Sequence, residues 1–253
     1  MVDAANDSLG HFHRIVKPVQ VQTVTTAMID QFISRRRLEA GQKAGSVVSP
    51  ATINKDLRHI KAALRIAQEW GYLPEMPKIR MVKQPQKLPT YVTPEHFDLI
   101  YTKACDLAKF PKDQGQNFTP PEWWQAMVVT AYMTGLSVGE ILAIRKEDVK
   151  LESGELITRW DATKTDRDEM IPLHPVVVEH LRKIIGDSLL VFPWGHDPRT
   201  LWVEFTRIQG EAGIHLVCRE KHDHTPLCHV YGFHDFRRAF ATLRVSSRKC
   251  FSD

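Results

Sequence analysis

Cysteine is scarce in this chain, at four among 253 residues. So few cannot staple a domain of this size, which excludes a disulfide scaffold and leads us to expect a reducing, cytoplasmic setting. No apolar run approaches the roughly eighteen residues that a membrane span requires. The opening Met1-Val2-Asp3-Ala4-Ala5-Asn6-Asp7 lacks the basic-then-apolar order of a secretion signal, so no membrane partner is expected. Tyrosine is also scarce, and its five positions (72, 91, 101, 132 and 231) leave none beyond residue 231. Hydrophobic residues at 43% and charged residues at 25% are ordinary for a globular protein, which excludes a disordered or collagen-like chain. The length suits one large domain or two modest ones and is enough to bury a core.

The net charge of +4 is small, but it is unevenly spread. Residues 1–93 carry fourteen Lys and Arg against seven Asp and Glu, and residues 94–253 carry twenty against twenty-three. A basic first third on a near-neutral remainder fits a surface that meets a polyanion, of which nucleic acid is the commonest. The plain alternative is a solvated basic helical domain.

The first 22 residues read as an N-terminal tail. Residues 23–73 read as a helical domain. Thr23 to Ala40 places Met28, Ile29, Phe32 and Ile33 on one stripe, and Gly41 ends it. Ser49-Pro50 is a helix start, with Ser as N-cap and Pro in the first turn. Ile53, Leu57, Ile60, Leu64 and Ala67 then recur at helical spacing, while Lys55, Arg58, Lys61 and Arg65 lie off that stripe. The stretch 74–93 is rich in proline and carries Lys78, Arg80, Lys83 and Lys87, so it reads as a stiff, basic, extended linker. Beyond it, residues 94–253 mix helices with a small sheet. Thr93-Pro94, Thr119-Pro120 and Pro175 open helices, a short one runs from Val138 to about Ile144, Thr200 caps another, and a last begins near His234. Residues 149–151, 156–158 and 170–173 read as short antiparallel strands. The fold class expected is mainly α with a small antiparallel β-sheet, an α+β arrangement.

Three stretches of the second part belong together. They are Thr134-Gly135-Leu136-Ser137-Val138-Gly139-Glu140, then Thr163-Lys164-Thr165-Asp166 with Met170-Ile171-Pro172-Leu173, and Gly232-Phe233-His234-Asp235-Phe236-Arg237-Arg238-Ala239-Phe240-Ala241-Thr242. In this order the chain resembles the tyrosine recombinase (phage integrase) family, from about Thr23 onward. The resemblance implies a helical core-binding domain followed by a catalytic domain, with double-stranded DNA and other recombinase protomers on that DNA as partners. It also implies DNA integration or recombination without a catalytic cofactor. In such chemistry a tyrosine attacks a phosphodiester and guanidinium forks clamp the non-bridging oxygens, since they match a phosphate better than an ammonium does. The matching positions make Lys164 the hairpin lysine, His234 and Arg237 the His-x-x-Arg pair, and Glu140 the acidic support. Lys55, Arg58, Lys61, Arg65, Lys78, Arg80, Lys83 and Lys87 become candidate DNA contacts.

Two positions depart from the pattern. Ser137 stands where the family carries its first arginine, and a short neutral hydroxyl cannot form a bidentate clamp. Ser137-Val138-Gly139-Glu140 does fit a helix capping box. The nucleophilic tyrosine would follow His234, yet every tyrosine here precedes it, so the ending reads as truncated or frameshifted and catalysis as defective. A fragment using a partner's tyrosine, a DNA-binding relic or a competitor of intact integrases are the rival readings. A separate run, Cys218-x3-His222-x-His224-x3-Cys228-His229, offers a structural zinc site with Cys218, His224, Cys228 and His229 as the ligand set. A His-rich polar loop, or a zinc-dependent interaction module, is the alternative there.

Overall fold

The computed structural model describes residues 2–86, 88–110, 117–161 and 167–249. The chain divides into two units, Met1–Lys87 with Arg219–His224, and Leu88–Cys218 with Thr225–Asp253. Among the described residues both are mainly helical and the second carries one small antiparallel sheet, as the sequence pattern implied.

The first unit is built on α1 (Val2–Val16), α2 (Thr26–Arg36) and α3 (Pro50–Glu69). Its core gathers Phe12, Ile15, Ile29, Phe32, Ile53, Leu57, Ile60 and Leu64, with Phe12 meeting Phe32 edge-on at 5.6 Å. The opening residues, expected as a tail, thus form a packed helix. Phe12 and Ile15 with Leu9 and Val16 make an apolar stripe that has α2 and α3 to bury against. The start of α3 is as expected, with Ser49 accepting from the Thr52 backbone N–H at 3.2 Å and Pro50 in the first turn.

The expected 74–93 linker contains no helix or strand among its described residues, but its first part is not free of the domain. Val82 is buried, and Met76 and Ile79 pack on the same core. The buried Asn54 amide donates to Val82 O at 2.9 Å and accepts from Val82 N at 2.8 Å. A side-chain amide thus replaces the backbone partners that an extended segment would find in a sheet.

The second unit contains α4 (Pro94–Leu99), a π-helical turn over Ile100–Ala104, α5 (Pro120–Thr134), α6 (Val138–Leu142), α7 (Pro175–Ile184), α8 (Pro198–Glu211) and α9 (Phe233–Lys249). Its sheet runs β1 (Val149–Lys150), β2 (Glu155–Thr158) and β3 (Glu169–Pro172), antiparallel in that order, with Leu156 opposite Val149 and Ile171. Helix α5 is the central element. Trp123, Trp124, Met127, Val128 and Ala131 are fully buried on it, and it packs against α7 and α9. A helix apolar on every side belongs inside a core.

The caps follow the sequence closely. Thr93 caps α4, and Thr119 forms a full capping box with Glu122 on α5. Helix α8 differs, because it starts at Pro198 with Asp197 as its cap, accepting from Arg199 N at 2.7 Å. Thr200, expected as the cap, donates instead to Asp197 O at 2.6 Å. Asp197-Pro198 is the stronger start signal because it couples an acceptor with a proline in the first turn.

Candidate active site and metal-ligating cluster

The site grows from the end of α5. Gly135 takes a left-handed conformation (φ 70°) and donates to Ala131 O, closing the helix. A Cβ there would come within 2.6 Å of Phe240 Cδ1 on α9, so glycine is required by backbone conformation and by close packing alike. Leu136 is buried, and Ser137 then caps α6. Glu140 N donates to Ser137 Oγ at 3.3 Å, while Ser137 N donates to Glu140 Oε2 at 2.6 Å. The capping box read from the sequence is therefore present.

Helix α9 supplies the second half. Phe236 and Ala239 are fully buried and Phe233 nearly so, with Phe233 stacked on Phe205 at 4.3 Å. This fixes the helix rotation and leaves His234 and Arg237, one turn apart, exposed on the opposite side. Asp235 secures the helix start by accepting from Gly232 N at 2.8 Å and pairing with Arg238 at 2.9 Å. Arg237 Nη1 lies 3.3 Å from Glu140 Oε2, so the capping carboxylate is also the arginine's counter-ion. An imidazole and a guanidinium on one exposed helical turn can hold an anion through charge-assisted hydrogen bonds.

Lys164 falls in the connection between β2 and β3 and lies outside the described residues, as does Lys87. The base of that connection is tied by Trp160 N to Asp168 Oδ1 at 2.8 Å and by Thr158 Oγ1 to Glu169 O at 3.2 Å. Arg145, eight residues past Ser137, pairs with Asp161 at 3.2 Å. In the first unit Lys55, Arg58, Arg65, Lys78, Arg80 and Lys83 are exposed and Lys61 is half-buried.

The buried tyrosines serve the core. Tyr231 is 4% exposed, and its hydroxyl lies 2.7 Å from His96 Nδ1. Its backbone exchanges two hydrogen bonds with the buried Gln209 side chain, at 2.8 and 2.9 Å. Tyr132 stacks on Phe97 at 4.1 Å, and Tyr101 reaches His180 Nε2 at 2.9 Å. Burial pushes all three phenols above their ordinary pKa, away from the phenolate a nucleophile needs.

In the loop before α9, Cys218, His222, His224 and Cys228 bring one ligand atom each to within 4.8 Å of one another. The sequence set named His229 in place of His222. His229 is turned to the base of the loop, with Nδ1 2.8 Å from Leu216 O and its ring stacked on His215 at 4.3 Å. Spacing alone could not separate the two histidines, because the contacts that hold His229, to Leu216 O and to the His215 ring, carry no sequence signal.

Sequence reasoning also missed Arg159, whose guanidinium meets both Asp148 oxygens through Nε at 3.0 and 2.8 Å and Glu147 at 2.7 Å. These partners lie eleven and twelve residues away with no periodic signal to link them.

In the second unit a Thr-Gly-Leu turn is packed under the helix that carries the exposed His234-x-x-Arg237, and the same unit holds the three-stranded sheet. Residues 105–245 match the model of the Phage integrase family, and the chain belongs to that family. It is 26% identical over 201 residues to the tyrosine recombinase XerA of Pyrococcus furiosus, covering 76% of this chain and 59% of that protein. It is also 26% identical over 141 residues to a putative tyrosine recombinase XerC of Pseudomonas syringae, covering 53% of this chain and 29% of that one. The chain thus spans less than two thirds of the length of these relatives.

Among solved structures, a lambda integrase dimer bound to a COC' core site shares the fold with a TM-score of 0.66 at 18% identity, covering 96% of this chain and 81% of that one. XerH recombinase bound to difH substrate shares it at 0.63 and 17% identity, over 98% of this chain and 69% of that one. No helix among the described residues is long and apolar enough to cross a membrane.

Proposed function

We propose that this chain binds duplex DNA as an integrase-type recombinase, and that residues 1–253 alone do not cleave it. The observation that carries this reading is the pairing of a family-typical exposed His234-x-x-Arg237 with a serine at the first clamp position. Arg237 and His234 would contact the scissile phosphate, and Lys164 would reach it from the β2–β3 connection. Lys55, Arg58, Lys61 and Arg65 on α3, with Lys78, Arg80, Lys83 and Lys87 after it, would neutralise backbone phosphates.

Binding of that kind is tolerant of sequence and releases counterions, so affinity falls steeply with salt. Other protomers of the family, assembled on the same DNA, are the natural protein partners. The chemistry needs no cofactor. Removing one preorganised transition-state donor costs on the order of a hundred- to a thousandfold in rate. Ser137 supplies no charge there, which supports binding without cleavage, as in a competitor of intact integrases.

The test titrates the whole chain against a labelled duplex at several salt concentrations. The triple variant Lys55→Ala, Arg58→Ala, Lys61→Ala should weaken binding and reduce the salt slope by about two to three. A suicide duplex carrying a nick should yield no covalent adduct. Unchanged affinity and slope in the triple variant would remove α3 from the DNA contact, and an adduct would overturn the reading of a non-cleaving chain.

A further inference from the structure

We propose that the loop from Cys218 to Cys228 binds one zinc ion through Cys218, His222, His224 and Cys228. The first support is geometric, since all four ligand atoms lie within 4.8 Å of one another. Zinc takes sulfur at about 2.3 Å and nitrogen at about 2.0–2.1 Å, so tetrahedral ligands sit roughly 3.3–3.8 Å apart. A contraction of at most about 1.5 Å, within reach of side-chain rotation, closes the set.

The tautomer of His222 is the second support. Its Nδ1 lies 2.8 Å from Asp223 O, and a carbonyl only accepts. Nδ1 therefore donates there, which makes Nε2 the atom able to serve as a ligand. Metal-bound histidines are commonly held in this way, with the second ring nitrogen donating to a backbone carbonyl. The His222 and His224 rings lie 4.7 Å apart and tilted by 41°, as two imidazoles turned toward one centre would be.

The third support is what the loop otherwise lacks. Its apolar side chains are largely exposed, with Leu227 at 61% and neighbouring Val217 at 79%. Its base is pinned by Leu216 N donating to His229 O at 2.7 Å, and by the Gln209–Tyr231 exchange beyond it. Between those points Asp223 N donates to Ala44 O at 2.8 Å and Lys43 pairs with Glu220 at 3.2 Å, but little apolar surface is buried, and in a short segment a bound metal supplies folding energy that a core does not.

The donor set selects the ion. Two thiolates and two imidazoles suit zinc, and two negative sulfurs cancel its charge, leaving a neutral site. The Cys228 thiol, which donates to Thr225 O at 2.9 Å, gives up its proton when it becomes a ligand.

The experiment uses the whole chain, purified without chelator and assayed for metals. One zinc per chain is expected, lost in Cys228→Ser and in His222→Ala but kept in His229→Ala. Cobalt(II) added to metal-stripped protein should give a tetrahedral d–d spectrum with thiolate charge-transfer bands, a readout of the ligand set that does not depend on how well each variant folds. Zinc near zero after refolding with added zinc, a cobalt spectrum without thiolate bands, or copper or iron in place of zinc would overturn the proposal. So would a metal released by His229→Ala and retained by His222→Ala.

Discussion

Arg237 Nη1 lies 3.3 Å from Glu140 Oε2, and the same oxygen accepts the Ser137 backbone N–H at 2.6 Å. One carboxylate oxygen therefore caps α6 and pairs with Arg237 of α9. The Arg237 side chain is half exposed, and a pair of that kind is worth at most about 1 kcal/mol. It can be exchanged for a phosphate at little cost.

Replacing Glu140 by Gln tests this directly. Glutamine can still reach back to the Ser137 N–H, so the cap survives, but the counter-ion is gone. Unfolding free energy should change by less than about 1 kcal/mol. Duplex affinity should rise with the salt slope little changed, because Arg237 contacts the same phosphate in both proteins and no longer has to leave a carboxylate to do so. Denaturant titration and DNA titration of the same preparation check both halves.

Ser137→Arg separates capping from clamping. Loss of the Oγ acceptor should cost about 0.5–2 kcal/mol of stability, whereas Ser137→Thr should cost much less. The added guanidinium should tighten duplex binding. Even so, no covalent adduct should form from the suicide duplex, because Tyr231, the tyrosine nearest His234 in sequence, is buried with its hydroxyl on His96. Thermal melts and a denaturing gel read the two effects.

Tyr231→Phe asks whether the tyrosine next to His234 in sequence takes part in chemistry. Burial raises its phenol, and its hydroxyl is committed to His96. The variant should lose about 1 kcal/mol of stability through that one hydrogen bond, with duplex binding unchanged. Mass analysis of any DNA-linked peptide should find none at residue 231 in either protein.

How far the sequence could be read depended on the range of the interaction. The caps at Ser49, Thr93, Thr119 and Ser137 are encoded within four residues, and each is found where the pattern put it. The small sheet was legible because strand pattern follows a period of two. Helix α1 was not, because its stripe makes sense only once α2 and α3 are there to cover it. The Asn54–Val82 clasp spans 28 residues, and the His96–Tyr231 contact spans 135. No local periodicity announces either. The choice between His222 and His229 was hidden in the same way, since the contact that holds His229 at the loop base reaches back thirteen residues to Leu216.

Acid should weaken the first unit through a partly buried network of carboxylates and guanidinium groups. Asp56, 4% exposed, accepts from Ser8 Oγ at 2.8 Å and from Arg36 Nε at 3.0 Å. Arg36 also pairs with Glu39, which Arg14 holds from the other side at 2.7 Å. Burial alone would push the Glu39 carboxyl up, but hydrogen bonds from Arg14 and Arg36 outweigh it and hold the group below its ordinary 4.5. A carboxylate with a depressed folded pKa lends stability above its unfolded value and loses it as pH falls through the folded one. Stability of the wild-type chain should therefore decline below about pH 4.5, and Glu39→Gln should flatten that decline while lowering stability at neutral pH. Asp56→Ala should be harsher at every pH. It leaves the 8%-exposed Arg36 without its inner partner, and breaking a buried pair from one side costs about 3–5 kcal/mol. Chemical denaturation at pH 7 and pH 4, followed through the first unit's own probes, measures both variants. A neutral Asp56→Ala would mean that Glu39 alone satisfies Arg36.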